Sequence, residues 1–309
     1  MATISRDTAF NSATIRIVRA GYADAEPKER TSVLLGLMNE ANRERLMHEA
    51  ALSWKRAIRR WEQSGEVVLL EEVACVLTDA VCTWAGLPLK QAKVRRLARN
   101  LVRMVDGSAG LGPRRWHAEL ARARTEIWVA YILGKIRRRT LQVHRDSALY
   151  VLANHRELDL QTAAAELVDF LQPIVAVAWD VTLAARVLQE SPHLREEIIR
   201  DQLCESAEVY ADALTARVSH FGFIPQQKRG HWITRLNVAS ALHFLTSCCT
   251  YEVVTGEDPA QQVTTNLVVR NVRASEALDR SAPRLSSESP ARDVGQWAAQ
   301  AVPGSLTHH

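Results

Sequence analysis

Thiols are the side chains most able to act as nucleophiles or hold a soft metal, and this 309-residue chain has five: Cys75, Cys82, Cys204, Cys248 and Cys249. No two are spaced as C-x-x-C, and the five do not read as a paired disulfide framework, which points to a reduced, intracellular setting. Cys75 and Cys82 lie seven apart on an apolar helical pattern, where packing is the expected role. Cys204 follows a charged segment. Cys248 and Cys249 sit in Leu-Thr-Ser-Cys-Cys-Thr close to His243, where a metal reading is weak, and no metal site is expected. A second chemical feature is the Gln172-Pro173 step inside a long apolar helix. Proline there removes a backbone hydrogen bond and favours a kink.

These side chains must be positioned by helices. Met47, Trp54, Ile58 and Trp61 fall on one face of a helix over 39–61, with Arg43, Arg45, Arg56, Arg59 and Glu62 opposite. Leu70, Val73, Leu77, Ala80 and Trp84 repeat the pattern, and Gly86 with Pro88 ends it. Lys90 to Val105 is a basic amphipathic helix built on Val94, Leu97, Leu101 and Met104. The segment from Gly107 to Pro113 reads as a loop, and helices follow over 116–139 and 160–187. Strand character appears only at 250–255 and 262–269, where β-branched residues cluster. Residues 274–309 show no burial pattern and are expected to be disordered.

Composition limits the function classes. The chain is 47% hydrophobic and 24% charged, with a formal net charge of +4. That excess permits an anionic partner without requiring one. The basic side chains Lys93, Arg95, Arg96, Arg99, Lys135, Arg137, Arg138, Arg139 and Arg145 are interleaved with acids, and a solvated helix face is expected rather than nucleic-acid binding. No secretory leader is evident in the first twenty residues. The apolar run from Leu167 to Leu188 is broken by Asp169, Gln172, Pro173, Asp180 and Arg186, so no membrane span is expected and the protein is placed in the cytoplasm.

Six motifs occur in fixed order: W-E-x-x-x-E-V-V-L-L-E-E from Trp61, W-A-G-L-P-L from Trp84, M-V-D-G from Met104, G-P-R-R-W from Gly112, A-A-A-E-L-V-D-F-L-Q-P-I-V-A-V-A-W from Ala163 and L-Q-E-S-P-H-L from Leu188. Together they resemble the helical core of bacterial fatty-acid peroxygenases, the hydroxylase branch of the cytochrome P-450 (haem-thiolate) superfamily. The resemblance implies a mainly α fold: a partial cytochrome P-450-type helical core over 36–203, behind a divergent segment 1–35. After it comes a poorly structured C-terminal region, 204–309, without family resemblance.

By resemblance the function is haem-dependent hydroxylation of a long-chain fatty acid. The family's Arg-Pro pair, whose arginine forks onto the substrate carboxylate, falls at Gln172 and Pro173, so the charge is missing. Leu111 matches a position lining the substrate channel, and Arg30 is the one residue near the expected haem-propionate ligands. The family's cysteine loop is not matched by any of the five cysteines. Glu197 and Arg200 have the Glu-x-x-Arg spacing but follow Ser191-Pro192 too closely, and read as a surface ion pair. The implied picture is a truncated or frameshifted copy that binds no haem. The alternatives are a non-catalytic remnant with at most an acyl-binding groove and, less favoured, a basic helical nucleic-acid-binding protein; self-association through exposed apolar surface is expected from a partial fold.

Overall fold

The computed structural model describes residues 34, 36–37, 39–107, 112–190, 196, 237, 240–254 and 267–280. Its first helix, α1 (Glu40–Glu62), begins where the extended Asn39 accepts the backbone N–H of Asn42 on its side-chain oxygen at 2.9 Å. Leu46, Ala50, Trp54, Ile58 and Trp61 are buried along it. Leu46 takes the inward place the sequence suggested for Met47, which is half-buried. Arg45, expected among the solvent-facing residues, reaches across instead. Its guanidinium donates to the carbonyls of Trp84 (3.2 Å) and Asp146 (2.8 Å) and lies over the Trp84 ring. The long stem of arginine allows the head group to leave the face its Cα occupies.

A short strand, β1 (Glu66–Val68), runs straight into α2 (Leu69–Ala85), the most enclosed helix, with Leu70, Val73, Leu77, Ala80 and Trp84 all buried. Gly86 ends α2 at φ +82°. Its N–H donates to the Thr83 carbonyl and that of Leu87 to the Cys82 carbonyl. A Cβ at Gly86 would stand 2.8 Å from that of Ser147, so the sequence's stop signal is also a packing requirement.

Helix α3 (Gln91–Gly107) buries Val94, Leu97, Leu101 and Met104, as its periodicity predicts. Helix α4 (Pro113–Arg137) starts with proline in its first turn. The short α5 (Ala148–Asn154) is capped by the Ser147 hydroxyl. Arg137 then closes the α5–α6 link by donating to the carbonyls of Ala153, His155 and Leu158. The long α6 (Leu160–Glu190) is nucleated at Asp159, whose carboxylate accepts the N–H groups of Gln161 (2.8 Å) and Thr162 (2.9 Å). Helix α2 packs on α1, α3 and α6, and α4 packs on α3 and α6. By length and composition α6 could cross a membrane, yet most of it is enclosed by these neighbours.

The late part of the chain returns to this core. One π-helical turn, Phe244–Cys248, leads into β2 (Cys249–Val254), close to the first strand expected from sequence. The second expected strand, 262–269, overlaps only the start of β3 (Val268–Ala274), and residues 255–266 lie outside the described chain. The antiparallel sheet has the order β1-β3-β2, with Val269 opposite both Val67 and Val253. A bulge on β3 puts Asn271 at φ +52°, a conformation asparagine tolerates better than most residues, and its amide donates to Glu252.

Residues 274–280 have no burial pattern in the sequence, yet they are held against α1. The Ala274 N–H donates to Glu62 (2.7 Å), Arg59 pairs with Asp279, and Leu278 in α7 (Ala277–Arg280) is buried. The expectation of disorder from residue 274 therefore fails for these seven positions. The contacts with Glu62 and Arg59 span more than two hundred positions, and others reach Ser247 and Cys248, none of which a local pattern can show.

Candidate functional site

Among the residues singled out from sequence, the structure describes Gln172 and Pro173. Arg30, Leu111, Cys204 and the Glu197–Arg200 pair lie outside the described residues. Pro173 stands inside α6, so no N–H is available to the carbonyl one turn earlier. Around it Leu171, Ile174 and Val175 face the core and are essentially inaccessible, while Phe170 stacks on Trp84 with centroids 5.4 Å apart.

Gln172 is different from these apolar neighbours. It is 8% exposed, a polar residue among apolar ones. One helical stripe runs from it through Ala176, Trp179 and Asp180, at i, i+4, i+7 and i+8. Pro173, Ala176 and Trp179 on this side are only half-buried, whereas Leu171, Val175 and Ala178 on the opposite side are fully enclosed. The proline-bearing, incompletely covered face of α6 thus has a half-buried proline and indole beside a buried amide and a buried carboxyl-bearing residue. Sequence reasoning noted Asp180 only as a break in an apolar run and did not single out Trp179. The spacing from Gln172 was the available signal for both.

Four cysteines are described, and none fits a haem-ligating thiolate. Such a sulfur must be ionised and open to a large planar group. Cys75 and Cys82 are buried on α2, as expected from their spacing; burial pushes the Cys75 thiol up to about 11 and raises Cys82 further. Cys248 is fully buried, 3.6 Å from His243 Nε2, and Cys249 donates its S–H to the Phe244 carbonyl. Burial also lowers the His243 pKa. Among the described residues no group of three or more His, Cys, Asp or Glu side chains is arranged to hold a metal ion.

A separate charged cluster joins α1, α2 and α3. Glu72, itself buried, accepts from Arg60 (2.7 Å), from the Trp61 indole (2.9 Å) and from Arg95, at the edge of a cavity of about 300 Å³. Its partners are all protein side chains from neighbouring helices, so the cluster is accounted for as a structural tie. Arg95 and Arg137, two of the basic residues considered for nucleic-acid contact, are therefore engaged within the fold.

No family model matches the sequence. Solved structures do. A mutant of cytochrome P450SP alpha is 23% identical, with 81% of each chain covered and a TM-score of 0.68. The chain has a cytochrome P450 fold. Cytochrome P450SP alpha in complex with (R)-ibuprophen (24% identity, 81% of this chain and 80% of that one, TM-score 0.66) agrees. So does a variant of cytochrome P450 OleT in complex with arachidonic acid (18%, 80% and 77%, TM-score 0.67). The mainly α P450-type core read from the sequence is borne out. The share of this chain that aligns exceeds what residues 36–203 alone could supply, so the P450 likeness continues beyond the point where the sequence motifs stop.

Proposed function

We propose that this chain is an acyl-binding relative of the fatty-acid peroxygenases. Its ligand is a long-chain fatty acid laid against the proline-bearing face of α6, with the carboxylate at Gln172. The observation that carries this reading is the placement of Gln172, a largely buried polar residue, directly before the proline inside α6 and beside the half-buried Ala176 and Trp179. A ligand oxygen accepting from this amide would add a hydrogen bond to a charged group, about 1.5–3 kcal/mol. The bound arachidonic acid of the OleT variant supports an acyl ligand for this fold.

An amide can donate one good hydrogen bond to a carboxylate but brings no charge, so the fixed ion pair of the family's arginine is replaced by a weaker contact. Proton movement on a bound oxidant by a clamped carboxylate is correspondingly not supported. The described cysteines do not suit a haem thiolate, and no oxidative step is assigned to the chain.

Titration calorimetry of the full chain with palmitate and with its methyl ester tests the proposal. Saturable one-to-one binding that favours the acid, and a Gln172→Leu variant that loses the preference, is the expected result. Equal affinity for acid and ester in the native chain would overturn it.

A further inference from the structure

Helix α4 carries the three large apolar side chains that stand out in water among the described residues: Trp116 (55% exposed), Ile127 (45%) and Tyr131 (56%). They are not scattered. Their positions, together with Leu120, Arg124, Lys135 and Arg138, differ by steps of three, four or seven and fall on one stripe roughly 33 Å long. The stripe contains cations and no acid. The two acids of the helix are held in ion pairs: Glu119, one turn from Trp116, accepts from Arg115, and Glu126, 1% exposed, accepts from Arg122, which also reaches Asp169 on α6. Arg124 and Arg138 are exposed and make no ion pair among the described residues, and the Lys135 ammonium sits over the Tyr131 ring at 5.0 Å.

We infer that this stripe of α4 is a docking surface for an anionic lipid bilayer. Tryptophan and tyrosine place an apolar body and a polar edge at the depth of lipid head groups, and isoleucine and leucine add area to bury in the acyl boundary. Arginine and lysine on the same face are drawn to a negative surface, and no acid lies within the stripe to oppose them. A second copy in a parallel twofold contact would bring Arg124, Lys135 and Arg138 against their own kind, whereas an antiparallel one would set Lys135 and Arg138 near Trp116, so a dimer through this stripe is an outcome of the test. Duplex nucleic acid would engage the cations but leave Ile127 and Tyr131 without apolar partners. The inference does not depend on the fatty-acid reading of Gln172.

Co-sedimentation of the full chain with vesicles tests it, using phosphatidylcholine alone and phosphatidylcholine with phosphatidylglycerol, at low and high salt. At least tenfold tighter binding to the anionic vesicles, weakened by salt, is expected. The double variant I127S/Y131S and the charge variant K135E/R138E should each reduce binding at least tenfold. Both pairs are surface positions, and unchanged circular dichroism and melting would verify that the fold survives. Three outcomes would overturn the inference: no preference for anionic vesicles, a concentration-dependent dimer abolished by I127S/Y131S, or binding to duplex DNA that exceeds vesicle binding and is unaffected by I127S/Y131S.

Discussion

The indole of Trp54 lies flat against the ring of Phe244, with centroids 5.8 Å apart and planes 6° from parallel. The same indole meets Trp61 edge-on at 6.0 Å. This aromatic group joins the first described helix to the segment that leads into β2. It makes the late chain part of the core.

Removing the Phe244 ring should therefore unfasten that segment. Phe244→Ala is expected to cost about 3–5 kcal/mol, the range for deleting a buried aromatic. Urea unfolding measures the loss. Hydrogen exchange should show β2 and β3 losing protection ahead of α2, and a loss below about 1 kcal/mol would mean that the stack is incidental.

Glu72 is expected to set part of the acid sensitivity. Burial opposes its charge, but hydrogen bonds from Arg60, Trp61 and Arg95 outweigh burial and hold the carboxyl below its ordinary value of 4.5. A depressed carboxyl pKa adds stability that is fully present above 4.5 and is lost as pH falls through the lowered folded value. Glu72→Gln should cost about 1–2 kcal/mol at neutral pH, the lower part of the range because both arginines are half in water. The variant should also lose less stability than the native chain below pH 4.5. Glu49, whose pKa burial raises, acts with the opposite sign and is common to both proteins, so the difference between their pH curves isolates Glu72.

The thiols of Cys75 and Cys82 should be inert while the chain is folded. With the Cys75 pKa near 11 and Cys82 raised more strongly, the reactive thiolate is scarce at pH 8 as well as enclosed. Alkylation with iodoacetamide, read by mass spectrometry, should spare both in buffer and modify both in denaturant. Rapid labelling in buffer would contradict their packing role.

Restoring a guanidinium before the proline of α6 should strengthen acyl binding. Gln172→Arg is expected to gain about 1.5–3 kcal/mol for a fatty acid through a charge-assisted contact, roughly ten- to hundredfold in affinity. A methyl ester should gain nothing. Calorimetry with both ligands separates a carboxylate contact from a general change in the pocket.

The helical half of this fold was legible because its positions repeat locally. Val94, Leu97, Leu101 and Met104 mark their own buried face, and Gly86 marks its own turn. The sheet was less legible for physical reasons. Strand β1 is three residues long, and the apolar alternation of β3 is broken by the bulge at Asn271. Arg45 and Arg137 read as surface charges, yet both donate to carbonyls far from their own turns, which side-chain periodicity does not encode. At the candidate site, Gln172 and Pro173 were found by resemblance. The exposed stripe of α4 was hidden because its aromatic residues also suit a core.

The central claim is that a P450 fold is present here in which none of the four described cysteines is placed as a haem thiolate. Its most direct test is the absorbance spectrum of the full chain, expressed with a haem precursor, purified, and reduced under carbon monoxide. The account predicts no stoichiometric haem and no red-shifted reduced carbon-monoxide band. A strong band of that kind would show a cysteine bound to haem iron and contradict it.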